Sequence, residues 1–139
     1  MTTRRESYVE ALMHALSADA QLQALGVKVE RSIYDAVSSD EPRVLVVHRG
    51  RDTPTPDIGV TTRACIFMLT AVVRDAAPDR ASDSIFELAH PVVMRFDADG
   101  LMGVLEGPTD EPRAADAEGG IGVVTIQYLF QYQTPPEAL

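Results

Sequence analysis

Residues 121–134 read IGVVTIQYLFQYQT. Val124, Ile126, Tyr128, Phe130 and Tyr132 form one alternate set; Val123, Thr125, Gln127, Leu129 and Gln131 form the other. Period-two alternation of β-branched and aromatic residues predicts a strand with one buried face and one amphipathic face. A long strand this close to the C-terminus is expected inside a sheet, because terminal segments fray unless tied down.

That strand needs partners, and the chain supplies them upstream. Thr61 to Arg74 alternates Cys65, Phe67, Leu69 and Ala71 against Ile66, Met68, Thr70 and Val72. Arg43 to Arg49, RVLVVHR, has a continuous apolar centre that predicts burial on both faces. The residues between, Gly50 to Gly59, carry two prolines and predict a loop, making an extended hairpin. A short strand is expected over Val27 to Tyr34, from the alternation of Val27, Val29, Arg31 and Ile33. Ser38 to Pro42 is expected as a turn. Leu101 to Glu106, weakened by Gly103, is expected as an edge strand.

Two helices complete the pattern. Thr3-Arg4-Arg5-Glu6 matches a capping box, and Val9, Leu12, Met13 and Leu16 follow at helical spacing. This helix is expected to reach about Ala18, with Ala20, Leu22 and Leu25 extending its apolar face until Gly26. Pro78 suits the first position of the second helix, lined by Ala81, Ile85, Leu88, Ala89, Val92 and Phe96. Pro91 is expected to kink that helix or end its regular part near His90. Pro108 to Gly120 is polar and acidic, and predicts a loop. The order is α-β-β-β-α-β-β: an α+β two-layer sandwich, a mostly antiparallel sheet of four to five strands with two helices packed on one face. Residues 1–139 read as one domain.

Composition narrows the function classes. No apolar run approaches the roughly 20 residues of a membrane helix, and the N-terminal MTTRRESYVEALMHAL lacks the apolar core of a secretory signal. The lone Cys65 permits no internal disulfide and fits a reducing compartment. Twelve Lys and Arg against 21 Asp and Glu give a net charge of −9, which argues against gripping nucleic-acid phosphates. Eleven of the twelve cations are arginine, Lys28 being the exception; arginine's planar fork suits ion pairs between subunits, and the base composition of the source genome explains the same bias.

The residues show no catalytic or metal constellation. His14, His48 and His90 have no metal-ligand spacing, and Cys65 has no cysteine neighbour. No Gly-x-Ser-x-Gly elbow exists. Gly119-Gly120-Ile121-Gly122 leads from a loop into a strand, the reverse of a phosphate loop's strand-to-helix order, and reads as a bend or bulge. The acidic loop holds Glu106, Asp110, Glu111, Asp116 and Glu118, opposed by Arg113 alone, without the residue order of a calcium loop. It reads either as a solvated loop or as a subunit contact against the basic Arg49-Gly50-Arg51. Tyr128, Phe130 and Tyr132 are flanked by glutamines rather than cations, and read as packing rather than base stacking. Two other readings stay open. One is a small-molecule module of the bacterial cytoplasm, with a pocket lined by Phe67, Met68, Phe86 and Phe130. The other is a hydrolase or metal enzyme using His48, Asp52 and His90.

Three passages carry a resemblance. They are the opening helix followed by a strand and Pro42-Arg43-Val44-Leu45-Val46-Val47-His48-Arg49; the strand from Thr62 to Val73 running into the helix Pro78 to Arg95; and a Leu-x-Gly-Val-x-Glu-Gly strand, an acidic loop and Val124 to Thr134. In that order they resemble the tail terminator (minor tail U-like) and tail-completion proteins of long-tailed bacteriophages and prophages, over nearly the whole chain. Pro91 has no place in the family pattern. The resemblance implies a structural, non-enzymatic protein without cofactor or metal, found in the virion tail and, during assembly, in the host cytoplasm. It implies a hexameric ring that caps the tail tube and meets the head–tail connector protein. DNA would pass through the ring without specific binding. Expected contacts use Arg49, Arg51, Asp110, Glu111, Arg113 and the sheet face bearing Thr125, Gln127 and Gln131.

Overall fold

A computed structural model describes residues 2–115 and 120–139. Asp116, Glu118 and Gly119, which belong to the acidic loop, lie outside the described residues. The elements in chain order are α1 (Arg4–Ala18), α2 (Ala20–Leu25), β1 (Lys28–Glu30), α3 (Ile33–Ser38), β2 (Arg43–Asp57), β3 (Val60–Val73), α4 (Pro78–Met94), β4 (Leu101–Thr109), β5 (Arg113–Ala114) and β6 (Gly122–Thr134). The fold is α+β. Six strands form one mixed sheet in the order β1-β2-β3-β6-β4, with β5 also pairing β6. Among the described residues only the short β1–β2 pair is parallel.

The stretch 122–134 is a central strand. It pairs β3 from Thr61↔Thr134 to Val73↔Gly122, while β4 and β5 share its other edge. Val124, Ile126, Tyr128, Phe130 and Tyr132 are buried. They face Phe67, Leu69 and Ala71 of β3, Leu45 and Val47 of β2, Tyr8, Val9, Leu12 and Leu16 of α1, and Ile85, Ala89 and Val93 of α4. Phe67 and Phe130 stack at 3.9 Å, and Tyr8 meets Tyr132 edge-on at 5.3 Å. Removing each such side chain from water contributes about 1.5–3 kcal/mol, so this face dominates the fold's stability.

The helix starts follow the sequence. Thr3 Oγ1 accepts from the Glu6 amide at 3.2 Å, and α1 ends at Ala18 as expected. Asp19 then caps a separate helix, its carboxylate accepting from the Leu22 amide at 3.0 Å; α2 stops at Gly26. Pro78 occupies the first turn of α4.

Five expectations need correction. First, the strand expected over Val27 to Tyr34 keeps only Lys28–Glu30, and α3 begins at Ile33. Ser32 caps α3, and the Arg74 guanidinium donates to the carbonyls of Ala36, Val37, Ser39 and Glu41 where that helix runs out. Arg74 lies more than 30 residues downstream, so local alternation could not register it.

Second, the sheet carries helices on both faces. α3 packs Ala36 and Val37 against Val44, Val46, Val72 and Val123, opposite the main core. It covers Val44 and Val46 while the main core covers Leu45 and Val47, so all four are buried. Third, Gly50 to Gly59 is a loop only at its last residues, because β2 continues to Asp57 and pairs with β3. Fourth, of the two outcomes expected at Pro91, an end to the helix near His90 does not occur, because α4 runs to Met94. The proline removes one donor, and the carbonyl it frees belongs to exposed Glu87, which water can satisfy. Fifth, β4 extends to Thr109, and Arg113–Ala114 forms β5 within the segment expected as loop.

Candidate interaction surfaces

The far half of the β2–β3 hairpin is positioned by a bulge. Between Arg49↔Phe67 and Asp52↔Cys65, β2 spends two residues, Gly50 and Arg51, opposite the single Ile66. Three residues apart, Arg49 and Asp52 would otherwise point to opposite faces; the extra residue puts both on the helix side. There Asp52 Oδ2 accepts from Arg5 Nη1 at 2.8 Å and from the Tyr132 hydroxyl at 2.6 Å. Arg49 Nε lies 3.7 Å from Glu6 Oε2, which also pairs with Arg31 at 2.9 Å.

This network ties α1 to β2 and β6. The hydrogen bond to Asp52 raises the Arg5 pKa despite partial burial. Burial, then the hydrogen bond to Asp52, pushes the Tyr132 hydroxyl upward. Burial together with the Asp52 charge pushes the Cys65 thiol up to about 11, against the pull of Arg49 and Arg5. A thiol held neutral is a poor nucleophile.

On the opposite sheet face, clear of α3, Ile66, Met68, Leu129, Gln127 and Gln131 are half-buried, and Leu105 of β4 is 52% exposed. Leu105, Leu129 and Ile66 are consecutive cross-strand partners, so they form an apolar row over three strands. Beside it, Thr70 Oγ1 bonds Thr125 Oγ1 at 2.7 Å and His48 Nε2 at 3.1 Å. Among the described residues the Gln127 and Gln131 amides make no side-chain hydrogen bond, leaving them for water or a partner.

The two sheet edges differ. Beyond β1, no strand among the described residues pairs with the outer edge of β2 from Val47 onward. Pro54 and Pro56 sit in the ladder opposite Arg63 and Thr61. Residues two apart present their amide positions to the same side, so both missing N–H groups face the uncovered edge and deny donors to an incoming strand. Ile58 and Gly59 form the two-residue turn between Asp57 and Val60, with Gly59 at φ +74°. Ile58 is 98% exposed. On the other edge, β4 exposes Met102 and Leu105.

The residues expected at subunit contacts are dispersed. Arg49 is half-buried and engaged with Glu6, whereas Arg51 is exposed without an ionic partner among the described residues. Asp110, Glu111 and Arg113 are exposed beyond β4, and the Asp110 amide donates to the Thr125 carbonyl at 2.8 Å. Within one chain β3 and β6 separate the basic pair from the acidic residues.

The alternative sites do not assemble. Phe67 and Phe130 are stacked in the core, while Met68 points to the other face, so the four residues proposed for a small-molecule pocket do not line one cavity. His48 bonds Thr70, Asp52 belongs to the Arg5 network, and His90 shares a 2.7 Å hydrogen bond with the Tyr128 hydroxyl and lies 3.4 Å from Glu106. Among the described residues no three His, Cys, Asp or Glu side chains converge as a metal site. No described helix is long and apolar enough to cross a membrane. A groove of about 700 Å³ between α1 and α4 is lined by Ala11, Ala15, Leu88, Pro91, Val92 and Phe96. Its titratable rim is Asp19, Arg95 and Asp97, without a histidine, cysteine or hydroxyl nucleophile.

Sequence reasoning missed the α3 surface and the exposed hairpin tip. The tip was legible in one respect: prolines two apart are compatible with an edge strand, whereas their count alone suggested a loop.

No protein-family model matches the chain, and no curated protein matches it. A solved structure described as "Virion of native gene transfer agent (GTA) particle" contains a chain of similar fold, with a TM-score of 0.70 and 13% sequence identity. The match covers 88% of this chain and 92% of that one. At this identity the likeness is one of fold.

Proposed function

We propose that this chain is a structural, non-enzymatic protein of a phage-type virion, resembling tail terminators, which self-assembles as a ring on the end of the tail tube. The single observation that carries the reading is the fold shared, over nearly the full length of both chains, with a component of a gene transfer agent particle. The surfaces are compatible with it. An apolar row on an open sheet face, glutamines without side-chain partners and an exposed hairpin are features that a neighbouring subunit can cover. A closed heterologous ring lets each copy bury one such surface against the next.

In this reading the partners are copies of the chain, the tail tube protein and the head–tail connector protein. The location is the virion tail, reached from the host cytoplasm. A hexamer is the ring size the resemblance implies. Arg49, Arg51, Asp110, Glu111, Arg113, Gln127 and Gln131 contribute to its contacts. With a net charge of −9, a ring lumen releases few counterions to passing DNA and does not hold it.

Negative-stain microscopy and sedimentation velocity of concentrated protein, alone and with tail tubes, test the proposal. Rings, or caps on tube ends, are expected. Tubes that neither bind the protein nor stop growing in its presence would overturn it.

A further inference from the structure

We propose that Asp99-Gly100 is a site of spontaneous backbone isomerisation, and that the Tyr8 hydroxyl of α1 sets its rate by holding the Asp99 carbonyl. The chain contains no asparagine, and Asp99-Gly100 is its one Asp-Gly pair. At such a pair the glycine amide nitrogen, unshielded by a Cβ of its own residue, attacks the side-chain carbon of the protonated aspartate. The N–Cγ bond forms, and the carboxyl hydroxyl departs with the amide hydrogen as water, closing a succinimide. Water then reopens the ring. Breaking the new N–Cγ bond restores aspartate; breaking the original peptide bond leaves isoaspartate, whose main chain is longer by one methylene.

The reacting groups are open to solvent. Asp99 and Gly100 are exposed at the centre of a turn leading into β4, closed by the Leu101 amide donating to the Ala98 carbonyl at 3.0 Å. Among the described residues the Asp99 carboxylate makes no hydrogen bond or ion pair, and the Gly100 amide donates to no acceptor. Asp99 also borders an open cleft of about 420 Å³ with Thr2, Arg4, Ser7 and Thr134, so water reaches it. Glycine is obligatory here: Gly100 has φ +79°, and a Cβ on it would collide with the Arg4 guanidinium. The turn therefore keeps the residue that makes the pair susceptible.

A clamp opposes the reaction. The Tyr8 hydroxyl donates to the Asp99 carbonyl at 2.8 Å, and Arg4 Nη1 donates to the same oxygen at 3.3 Å. A positive φ at Gly100 alone makes this a type II turn, which sets the Asp99 ψ near about +120°. That value holds the Gly100 nitrogen away from the Asp99 side chain, whereas a five-membered ring needs nitrogen and Cβ eclipsed about the Cα–C bond. The nitrogen and the carbonyl oxygen share one rigid plane, so bringing the nitrogen round carries the oxygen off Tyr8. Tyr8 is only 2% exposed, and its hydroxyl would lose its acceptor. Arg4 meets the oxygen at the surface, where water replaces it readily.

The test incubates the full chain near neutral pH at physiological temperature and reads isoaspartate at residue 99 by peptide mapping, with heavy-oxygen water marking each ring opening. Folded wild type is expected to accumulate it several-fold more slowly than the same chain in guanidinium chloride. Tyr8→Phe keeps the ring and loses the clamp, and is expected to react several-fold faster than wild type. Tyr132→Phe removes a hydroxyl from the same core without touching Asp99, so it controls for lost stability and is expected to match the wild type. Asp99→Glu, which would have to close a six-membered ring, is expected to give no signal at this position. Folded wild type reacting at the unfolded rate would overturn the clamp, as would Tyr8→Phe reacting no faster than Tyr132→Phe. An absence of isoaspartate at residue 99 even in denaturant would overturn the site itself. None of these outcomes depends on whether the chain assembles on a tail.

Discussion

The Tyr132 hydroxyl donates to Asp52 Oδ2 at 2.6 Å, joining residues 80 apart in sequence across the intervening strand β3. Two strand spacings of about 4.8 Å separate the backbones, so only a long side chain bridges them. Arg5 donates to the same oxygen from α1. One carboxylate, with 4% of its side chain exposed, therefore fastens three elements at the root of the hairpin.

Removing that carboxylate should be costly. Asp52→Ala leaves a mostly buried guanidinium and a buried hydroxyl without their acceptor, and about 3 kcal/mol of stability is expected to be lost. Tyr132→Phe removes one hydrogen bond while keeping the ring, and about 1 kcal/mol is expected. The double variant should lose less than the sum, because both changes delete the same bond. Urea unfolding of the three proteins measures this.

Gly122 opens β6 against the first turn of α4. A Cβ there would sit 2.3 Å from Pro78 Cβ, closer than two carbons can approach. Gly122→Ala is expected to cost about 1–3 kcal/mol by forcing α4 away from the sheet. On β4, a Cβ at Gly103 meets nothing within 4 Å. Gly103→Ala should leave the thermal midpoint nearly unchanged or slightly raised.

Cys65 should be inert in the folded protein. Its thiol is buried and its pKa pushed up to about 11, so the thiolate is scarce at pH 8. A maleimide or aromatic disulfide reagent is expected to label it only after denaturant is added. Rapid labelling under native conditions would mean that β3 opens locally.

His48 gives a stability change of known sign. Burial, helped by the Arg31 charge, lowers its folded pKa below the ordinary 6.5. As pH falls below 6.5, the unfolded chain binds a proton that the folded chain resists. His48 therefore favours the native state fully above 6.5, and that contribution is lost as pH drops towards the folded value. The melting temperature of His48→Gln should fall less than that of wild type over the same acidification.

The strands of the central ribbon were legible because each carries its own period. Cys65, Phe67, Leu69 and Ala71 alternate with nothing competing, and Val44 to Val47 announced a strand covered on both faces. What covered the second face was not legible. α3 depends on Arg74 collecting carbonyls from Ala36 to Glu41, a contact with no local signature. Asp52 read as a loop residue because its role needs the Gly50–Arg51 bulge, and a bulge shows only when two strands are laid side by side. The interaction surfaces were half legible: Gln127 and Gln131 stood out as polar residues on an amphipathic strand, whereas the exposure of Ile58 and Tyr34 followed only from the fold.

The placement of β6 between β3 and β4 has a bearing on how the chain is made. Residues 122–134 leave the ribosome after both of the neighbours they join, and those neighbours do not pair with each other. Until those residues emerge, a nascent chain can close the β2–β3 hairpin, but β4 has no ladder to enter. A stop codon shortly before Gly122 would thus split the sheet in two, where the same loss from an edge strand would only narrow it.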